Sequence, residues 1–210
     1  MAAAPMATEA GDRAMNEIAL FPLHTVLFPG GLLPLRIFET RYVDMVGRCM
    51  RSDAVFGVVL IRAGAESEAA VSIAQVGTAA RIVDFQTLSD GLLGLLCCGE
   101  RRFRVARRSR RDDGLNCAEV EWLSDAPLTP LAEEFQPLVP VVREVLGSLG
   151  SLGRFLAPRY EDAAWISYRL SEWLPLEPAA QQQLLELDDP TARLRLLAPL
   201  IEPLKPARGG

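Results

Sequence analysis

Up to about residue 125, apolar residues occur in short runs separated by turn residues. Val55–Ile61 is a continuous, largely β-branched apolar run, which is typical of a strand buried on both faces. Ser89-Asp90-Gly91 predicts a hairpin whose second strand is Leu92–Cys98, because an Asp-Gly step favours tight turns. Leu115–Leu123 closes this part of the chain. Many short strands with regular turns indicate a β-barrel or β-sandwich.

One helix is predicted within this β-rich part, from Phe38 to Met50. Apolar residues recur there at the i, i+3, i+4, i+7 spacing of a single helical face. The predicted face consists of Phe38, Tyr42, Val43, Met45, Val46, Cys49 and Met50.

After residue 125 the apolar spacing becomes helical, and proline and glycine divide the pattern into four helices. The predicted markers are Pro137 at the start or kink of the first helix, the break Gly147–Gly153, Trp165–Leu174 as the second helix, Pro178 in the first turn of the third, and Asp189 as the N-cap of the fourth. The chain is therefore predicted to be α+β, with a β-rich half that contains one inserted helix and a helical bundle after it.

The predicted organisation is a β-barrel subdomain over 17–125 and a helical subdomain over 126–205. Residues 1–16 are expected to be a disordered tail and residues 206–210 a frayed end, because both are rich in small or polar residues. The full length of 210 residues suits one domain or two small ones.

The counts of histidine and lysine argue against several common classes of enzyme. His24 is the only histidine and Lys205 the only lysine. A P-loop needs a lysine directly after a glycine-rich turn. A catalytic site that combines serine or cysteine with histidine could use only His24. We therefore predict no catalytic residue, no metal site and no cofactor, and we interpret His24 as a structural, hydrogen-bonded histidine. A small-molecule site between the two halves is a further hypothesis, which a deep polar pocket around His24 would support.

The four cysteines are interpreted as reduced residues in or near the core of a cytoplasmic protein. No C-x-x-C pair occurs, and a zinc site would need more ligands than the spacings offer. The sequence shows neither a secretory signal nor an apolar run long enough to cross a membrane. The cysteines are Cys49, Cys97, Cys98 and Cys117.

Seven arginines lie between Arg101 and Arg111, and strand alternation places four of them on one face, opposite Phe103 and Val105. Such a face could bind phosphate, but the net charge of −5 is unlike that of most nucleic-acid modules, so we favour a solvated strand face. The candidate RNA-binding residues are Arg102, Arg104, Arg108 and Arg110.

Five leucines beside predicted turns are candidate contacts for a protein partner, because exposed apolar patches mark interaction sites. Folding back into the core is the favoured interpretation. The five are Leu32, Leu33, Leu88, Leu92 and Leu93.

Taken in order, several motifs resemble the Lon protease N-terminal, substrate-binding domain. The opening IALFPLHTVLFPGGLLPLRIFETRYVDMV is similar to the family's signature, and VGTAARI (76–82), SDG (89–91), GERRFRV (99–105) and AEVEWL (118–123) continue it. The resemblance covers roughly residues 17 to 202 and ends in a leucine-rich helical close. It implies a PUA-like β-barrel followed by a helical bundle, without the ATPase and protease modules of full-length Lon.

The resemblance also implies a non-enzymatic module that binds unfolded polypeptide or a partner protein, with a role in protein quality control as a further expectation. RNA binding through the Arg101–Arg111 face is the alternative, and a homodimer is a further expectation. Physical roles explain several motif residues: Arg41 is placed to pair with a carboxylate such as Glu39, and Gly77 and Gly99 suit tight barrel corners.

Overall fold

A computed structural model describes residues 17–64, 71–124 and 128–201. The predicted tails over 1–16 and 206–210 lie outside the described residues, as do residues 65–70, 125–127 and 202–205.

Strands occupy the first part of the described chain and helices the last part. The strands are β1 (Glu17–Leu23), β2 (Leu32–Ile37), β3 (Phe56–Ala63), β4 (Ser72–Ile73), β5 (Val76–Thr87), β6 (Leu93–Arg110) and β7 (Asn116–Trp122). The α-helices are α1 (Thr40–Ser52), α2 (Val139–Ser148), α3 (Ala163–Trp173), α4 (Pro178–Glu186) and α5 (Pro190–Ile201), with 3-10 segments at Glu133–Leu138 and Gly150–Phe155. The predicted α+β class is confirmed.

Five of these strands close into a barrel. Along the sheet the order is β1, β7, β6, β5 and β3, and β3 returns to pair in parallel with β1, from Leu20 opposite Gly57 to Leu23 opposite Leu60. The other pairings in the ring are antiparallel. Closure leaves no free edge within the ring, which protects the backbone from unwanted strand pairing.

The long strand β6 extends beyond the barrel as part of a three-stranded arm. Its first third, Leu93–Cys98, lies between β2 and the segment Arg81–Thr87 of β5. We call these three segments the arm. One face of the arm packs on α1, through side chains that include Leu33, Ile82 and Leu95.

Helix α1 buries only part of its predicted apolar face. Tyr42, Met45, Val46 and Cys49 are buried, but Phe38 precedes the helix and is 69% exposed. Val43 and Met50 are also exposed, so the prediction was wrong for three residues. Only the row of α1 side chains that faces the arm is buried, and the residues beside that row face outward.

The helical part shares a core with the barrel. Val26, Phe28 and Val76 from the barrel pack with buried residues of α2 to α5, such as Val142 and Leu194. None of the helices among the described residues is long and apolar enough to cross a membrane.

Helix starts agree with the sequence signals. Pro178 is the first residue of α4, and the Asp189 carboxylate accepts a hydrogen bond from the Thr191 amide at 2.8 Å, as expected of an N-cap at α5. The predicted break at Gly147–Gly153 coincides with the end of α2 and the following 3-10 segment. Pro137 lies in a 3-10 turn just before α2.

Two glycines permit close approaches in the barrel. A Cβ on Gly99 would lie 2.2 Å from the Phe28 carbonyl oxygen, and one on Gly77 would lie 2.5 Å from the Val58 carbonyl oxygen. Both distances are too short for any side chain, so the expected tight corners are present.

Candidate functional site

A groove of about 440 Å³ lies on the face of the arm that is turned away from α1. The strand register forms its floor, because residues opposite one another on neighbouring strands point to the same side of a sheet. Two rows of residues cross the three strands there: Pro34, Leu96 and Asp84, then Arg36, Gly94 and Gln86.

The second wall of the groove comes from the helical part. The 3-10 segment Gly150–Phe155 faces the arm and contributes Leu152 and Phe155 to the lining. An ion pair between Arg154 and Asp84, 3.5 Å apart, connects the wall to the floor. The groove is therefore a seam between the two halves of the fold, a common location for binding sites.

Charges at the groove are paired and its exposed surface is largely apolar. Arg36 forms an ion pair with Asp90 at the hairpin turn, and Arg154 pairs with Asp84. Leu152 is 43% exposed in the groove, whereas Phe85, which is 56% exposed, lies opposite Leu95 and so points to the α1 side of the arm. A partner that presents apolar side chains would fit this surface better than a strongly charged one.

The structure places the five candidate leucines on or beside the arm, all half-buried. Leu88 lines the groove and packs over Gly94, where an added Cβ would lie 2.8 Å from a Leu88 methyl group. Leu33 and Leu93 face the other side and pack against the α1 core. Of the five, the groove lining includes only Leu88.

The four candidate RNA-binding arginines do not form one face. Arg102 is 1% exposed and donates to the Leu185 carbonyl oxygen at 2.8 Å, while its second amino group pairs with Asp188 at 2.8 Å. Arg193 donates to the carbonyl oxygens of Leu184 and Leu187. Two buried guanidinium groups thus bind the carbonyl groups at the end of α4, which have no partner within the helix.

A β-bulge separates the remaining arginines. The pairing of β6 with β7 shifts between Val105 and Arg107, so the extra residue reverses which side chains face each side. Arg104 and Arg108 therefore point to opposite faces, although their spacing alone predicts the same face. Arg108 donates to the Val71 carbonyl oxygen, and Arg110 donates to the Gly114 carbonyl oxygen.

The only histidine lines a different cleft. His24 is exposed at the rim of a cavity of about 450 Å³ between β3 and α4, whose lining includes Arg62, Gln182 and Glu186. Arg62 and Glu186 pair at 3.4 Å, and the Gln182 amide donates to the Val76 carbonyl oxygen at 3.0 Å. His24 is not enclosed, which differs from the deep polar pocket that the small-molecule hypothesis requires.

Within the described residues, no group of three or more histidine, cysteine, aspartate or glutamate side chains could hold a metal ion. The four cysteines are free thiols. Burial raises the pKa of the Cys97 thiol to about 12, with the neighbouring Cys49 and Cys98 acting in the same direction. A thiol of that pKa is protonated at neutral pH, so Cys97 is unsuited to nucleophilic chemistry.

A buried ion pair holds the Gly30-Gly31 turn against α3. Arg169 donates to the Gly30 and Pro29 carbonyl oxygens at 2.6 and 2.8 Å and lies 2.9 Å from a carboxylate oxygen of Glu172. The other oxygen of Glu172 accepts from the Leu32 amide at 3.3 Å. Burial raises the pKa of Glu172, while Arg169 opposes the increase. The pair fixes the start of β2, and with it one side of the arm.

Comparison with known proteins agrees with the motifs and the fold. The family described as the ATP-dependent protease La (LON) substrate-binding domain matches residues 17–202. This chain belongs to that family. The Lon substrate-binding domain thus accounts for both the barrel and the helices, since the match runs through α5.

The curated relatives of this Lon substrate-binding domain are much longer proteins. Lon protease of Cytophaga hutchinsonii is 26% identical over 84% of this chain and 23% of its own length. Lon protease of Escherichia coli K12 is 25% identical over 89% of this chain and 24% of its own length. The chain thus spans about a quarter of these relatives.

Solved structures show the same fold. The Lon N-terminal domain protein from Xanthomonas campestris is 39% identical, with a TM-score of 0.72 over 87% of this chain and 97% of its own. The N-terminal domain of Mycobacterium avium complex Lon protease is 18% identical, with a TM-score of 0.58 over 87% of this chain and 96% of its own, and supports the fold alone.

Sequence reasoning missed most of the groove in this Lon substrate-binding domain. Leu152 lies in Gly147–Gly153, which the sequence predicts only as a break, and Phe155 follows just beyond it. Their exposure depends on how the 3-10 segment meets the arm, which local spacing does not report. The one available signal was the Asp-Gly hairpin, which places Leu88 at the tip of the arm.

Proposed function

We propose that this domain is a non-enzymatic, cytoplasmic module that binds exposed apolar segments of unfolded or partner polypeptides, in a role related to protein quality control. The groove between the arm and the Gly150–Phe155 segment is the binding site. The single observation that carries the proposal is the exposed apolar surface of Leu152 at a groove with paired charges.

Physical chemistry supports this choice of ligand. Contiguous apolar surface that remains exposed in a folded protein commonly marks an interaction site. The volume of about 440 Å³ is sufficient for a few side chains but not for a folded partner, which suits a short segment of chain. The four free thiols are consistent with a reducing compartment.

The test measures the binding of a fluorescently labelled, permanently unfolded protein to the whole chain. Leu152→Glu should weaken binding about tenfold or more, because it places a charge in the apolar groove. Leu128→Glu is the matched control, since Leu128 is 64% exposed and does not line the groove, and it should bind like the unmodified chain. No binding by the unmodified chain, or equal affinities for the two variants, would refute the proposal.

RNA binding and a homodimer stay predictions. The first requires an affinity that falls steeply with salt concentration. Because Arg102 is buried against α4, the RNA hypothesis now depends on the exposed arginines of β6 alone.

A further inference from the structure

Among the described residues, no strand pairs with the outer edge of β5 beyond the barrel. Strand β3 pairs with β5 only as far as Phe56 opposite Ala80. From Ile82 to Thr87, the only described strand that pairs with β5 is β6, on the opposite side. Arg81 marks the boundary, since its guanidinium donates to the backbone and side chain of Asp53 just before β3 begins.

The two outer edges of the arm differ in how they are protected. On β2, Pro34 removes one backbone donor from the middle of the strand, and the Glu172 carboxylate already binds the Leu32 amide. Proline and such caps are the usual means of blocking edge strands. Between Ile82 and Thr87, β5 carries no proline.

The protection on β5 is slight. A bulge at Val83 interrupts the pairing with β6, and the Asp84 carboxylate accepts from the Phe85 amide at 2.9 Å. Asp84 is also the only charged residue in the segment Ile82–Thr87. The edge from Asp84 to Thr87 follows a regular register, which leaves room for a further strand of roughly 13 Å.

Exposed apolar side chains lie on each side of this edge. On the α1 side, Met50, Val83 and Phe85 are exposed beside a cavity of about 210 Å³, whose lining also includes the charged Asp53 and Arg81. On the other side lies the groove of about 440 Å³. Successive side chains of a strand point to opposite faces, so a strand added to β5 would direct alternate side chains toward the two cavities.

We propose that the β5 edge over Ile82–Thr87 binds an extended apolar segment of polypeptide as an added strand of the arm. This inference rests on the proposed function and specifies the conformation of the ligand. The unpaired edge requires a partner with a free backbone, and the groove on one side and the exposed side chains of Val83 and Phe85 on the other favour apolar side chains in that partner. A short, extended, alternating apolar segment satisfies both requirements.

The test uses synthetic eight-residue apolar peptides with a solubilising tail, titrated against the whole chain. Two modified peptides carry N-methyl groups on alternate backbone amides, in the two possible frames. N-methylation removes hydrogen-bond donors and leaves the side chains unchanged. We expect one frame to lose at least tenfold in affinity and the other to bind nearly as well as the parent, because only one set of amides faces β5.

The outcomes separate this inference from the proposed function. If the parent peptide binds and both N-methylated frames bind within twofold of it, strand addition is refuted while apolar recognition stands. If the parent peptide does not bind, both proposals fail.

Hydrogen exchange supplies a second measurement. Amides of Ile82–Thr87 that do not bond to β6 should become protected when the peptide binds, and the amides of Leu32–Ile37 on the other edge should not change. Protection of these outward-facing β5 amides without peptide, with a dimer mass by light scattering, would assign the edge to a second copy and refute the proposal.

Discussion

Replacing Arg102 by methionine tests whether this buried arginine fastens the helical part to the barrel. Its guanidinium donates to the Leu185 carbonyl oxygen at 2.8 Å, at the end of α4, and its side chain is almost completely buried. Methionine fills a similar volume without a donor. The Leu185 carbonyl oxygen would then lose its charged partner in a buried position.

The expected loss follows from three contributions. A hydrogen bond to a charged donor contributes about 1.5–3 kcal/mol, and a cation at a partly buried helix C-terminus contributes up to about 2 kcal/mol. The ion pair with Asp188 adds little, because that carboxylate is 85% exposed and screened by water. Relief from burying a charge offsets part of the loss. We expect the free energy of unfolding to fall by about 2–3 kcal/mol.

Urea unfolding followed by tryptophan fluorescence measures this change, since Trp122 lies in the barrel and Trp165 in the helical part. Arg104→Met is the matched control, two residues along the same strand and exposed, and it should change the free energy of unfolding by less than about 0.5 kcal/mol. For a domain of this size, the corresponding fall in Tm for Arg102→Met is about 4–12 °C.

Equal stabilities for the two variants would refute the reasoning. In that case Arg102 would not hold α4, and its desolvation would cancel the benefit of its hydrogen bonds. Two separate unfolding steps in Arg102→Met, in place of one, would instead show that α4 detaches without unfolding the barrel.

Three further results are expected. Gly99→Ala should destabilise the domain by at least about 2 kcal/mol, because the added Cβ would lie 2.2 Å from a backbone oxygen. Gly147 lies within α2 with open space around it, so Gly147→Ala should stabilise the domain by about 0.5–1 kcal/mol in the same urea titration. Since burial raises the pKa of Glu172, its contribution to stability is full below its unfolded pKa, near 4.3, and declines as pH rises through the raised value. Glu172→Gln should remove this decline, and parallel stability–pH curves for the two proteins would contradict the assignment. The Cys97 thiol should resist maleimide at pH 8 until urea is added, as mapped by mass spectrometry, and labelling in the folded protein would show that it is accessible.

The sequence was sufficient for the elements whose signals are local. The Asp-Gly hairpin, the proline at the start of α4 and the Asp189 cap each depend on a few neighbouring residues, and each was confirmed. The ion pair of Arg41 with Glu39, at 2.7 Å, was also expected from adjacent motif positions.

Features that depend on contacts between distant segments could not be predicted from such local signals. Alternation placed Arg102 and Arg104 on one face, but only the position of α4 decides that the first is buried and the second is not. The bulge before Arg107 reverses which side chains of β6 face each side of the sheet, and it is visible only in the pairing of β6 with β7. The groove likewise exists only because Leu152, far along the chain, reaches the arm.

The closure of the barrel has a consequence for how the protein is made. Strand β1 is synthesised first, but it obtains its antiparallel partner only when β7 is complete. The Gly30-Gly31 turn obtains its hydrogen bond from Arg169 only later, after α3 has been synthesised. At 5–20 residues per second, roughly 5 to 30 s separate these segments on the ribosome. During that time, one edge of β1 has no partner, so the nascent chain exposes an apolar segment of the kind that this domain is proposed to bind.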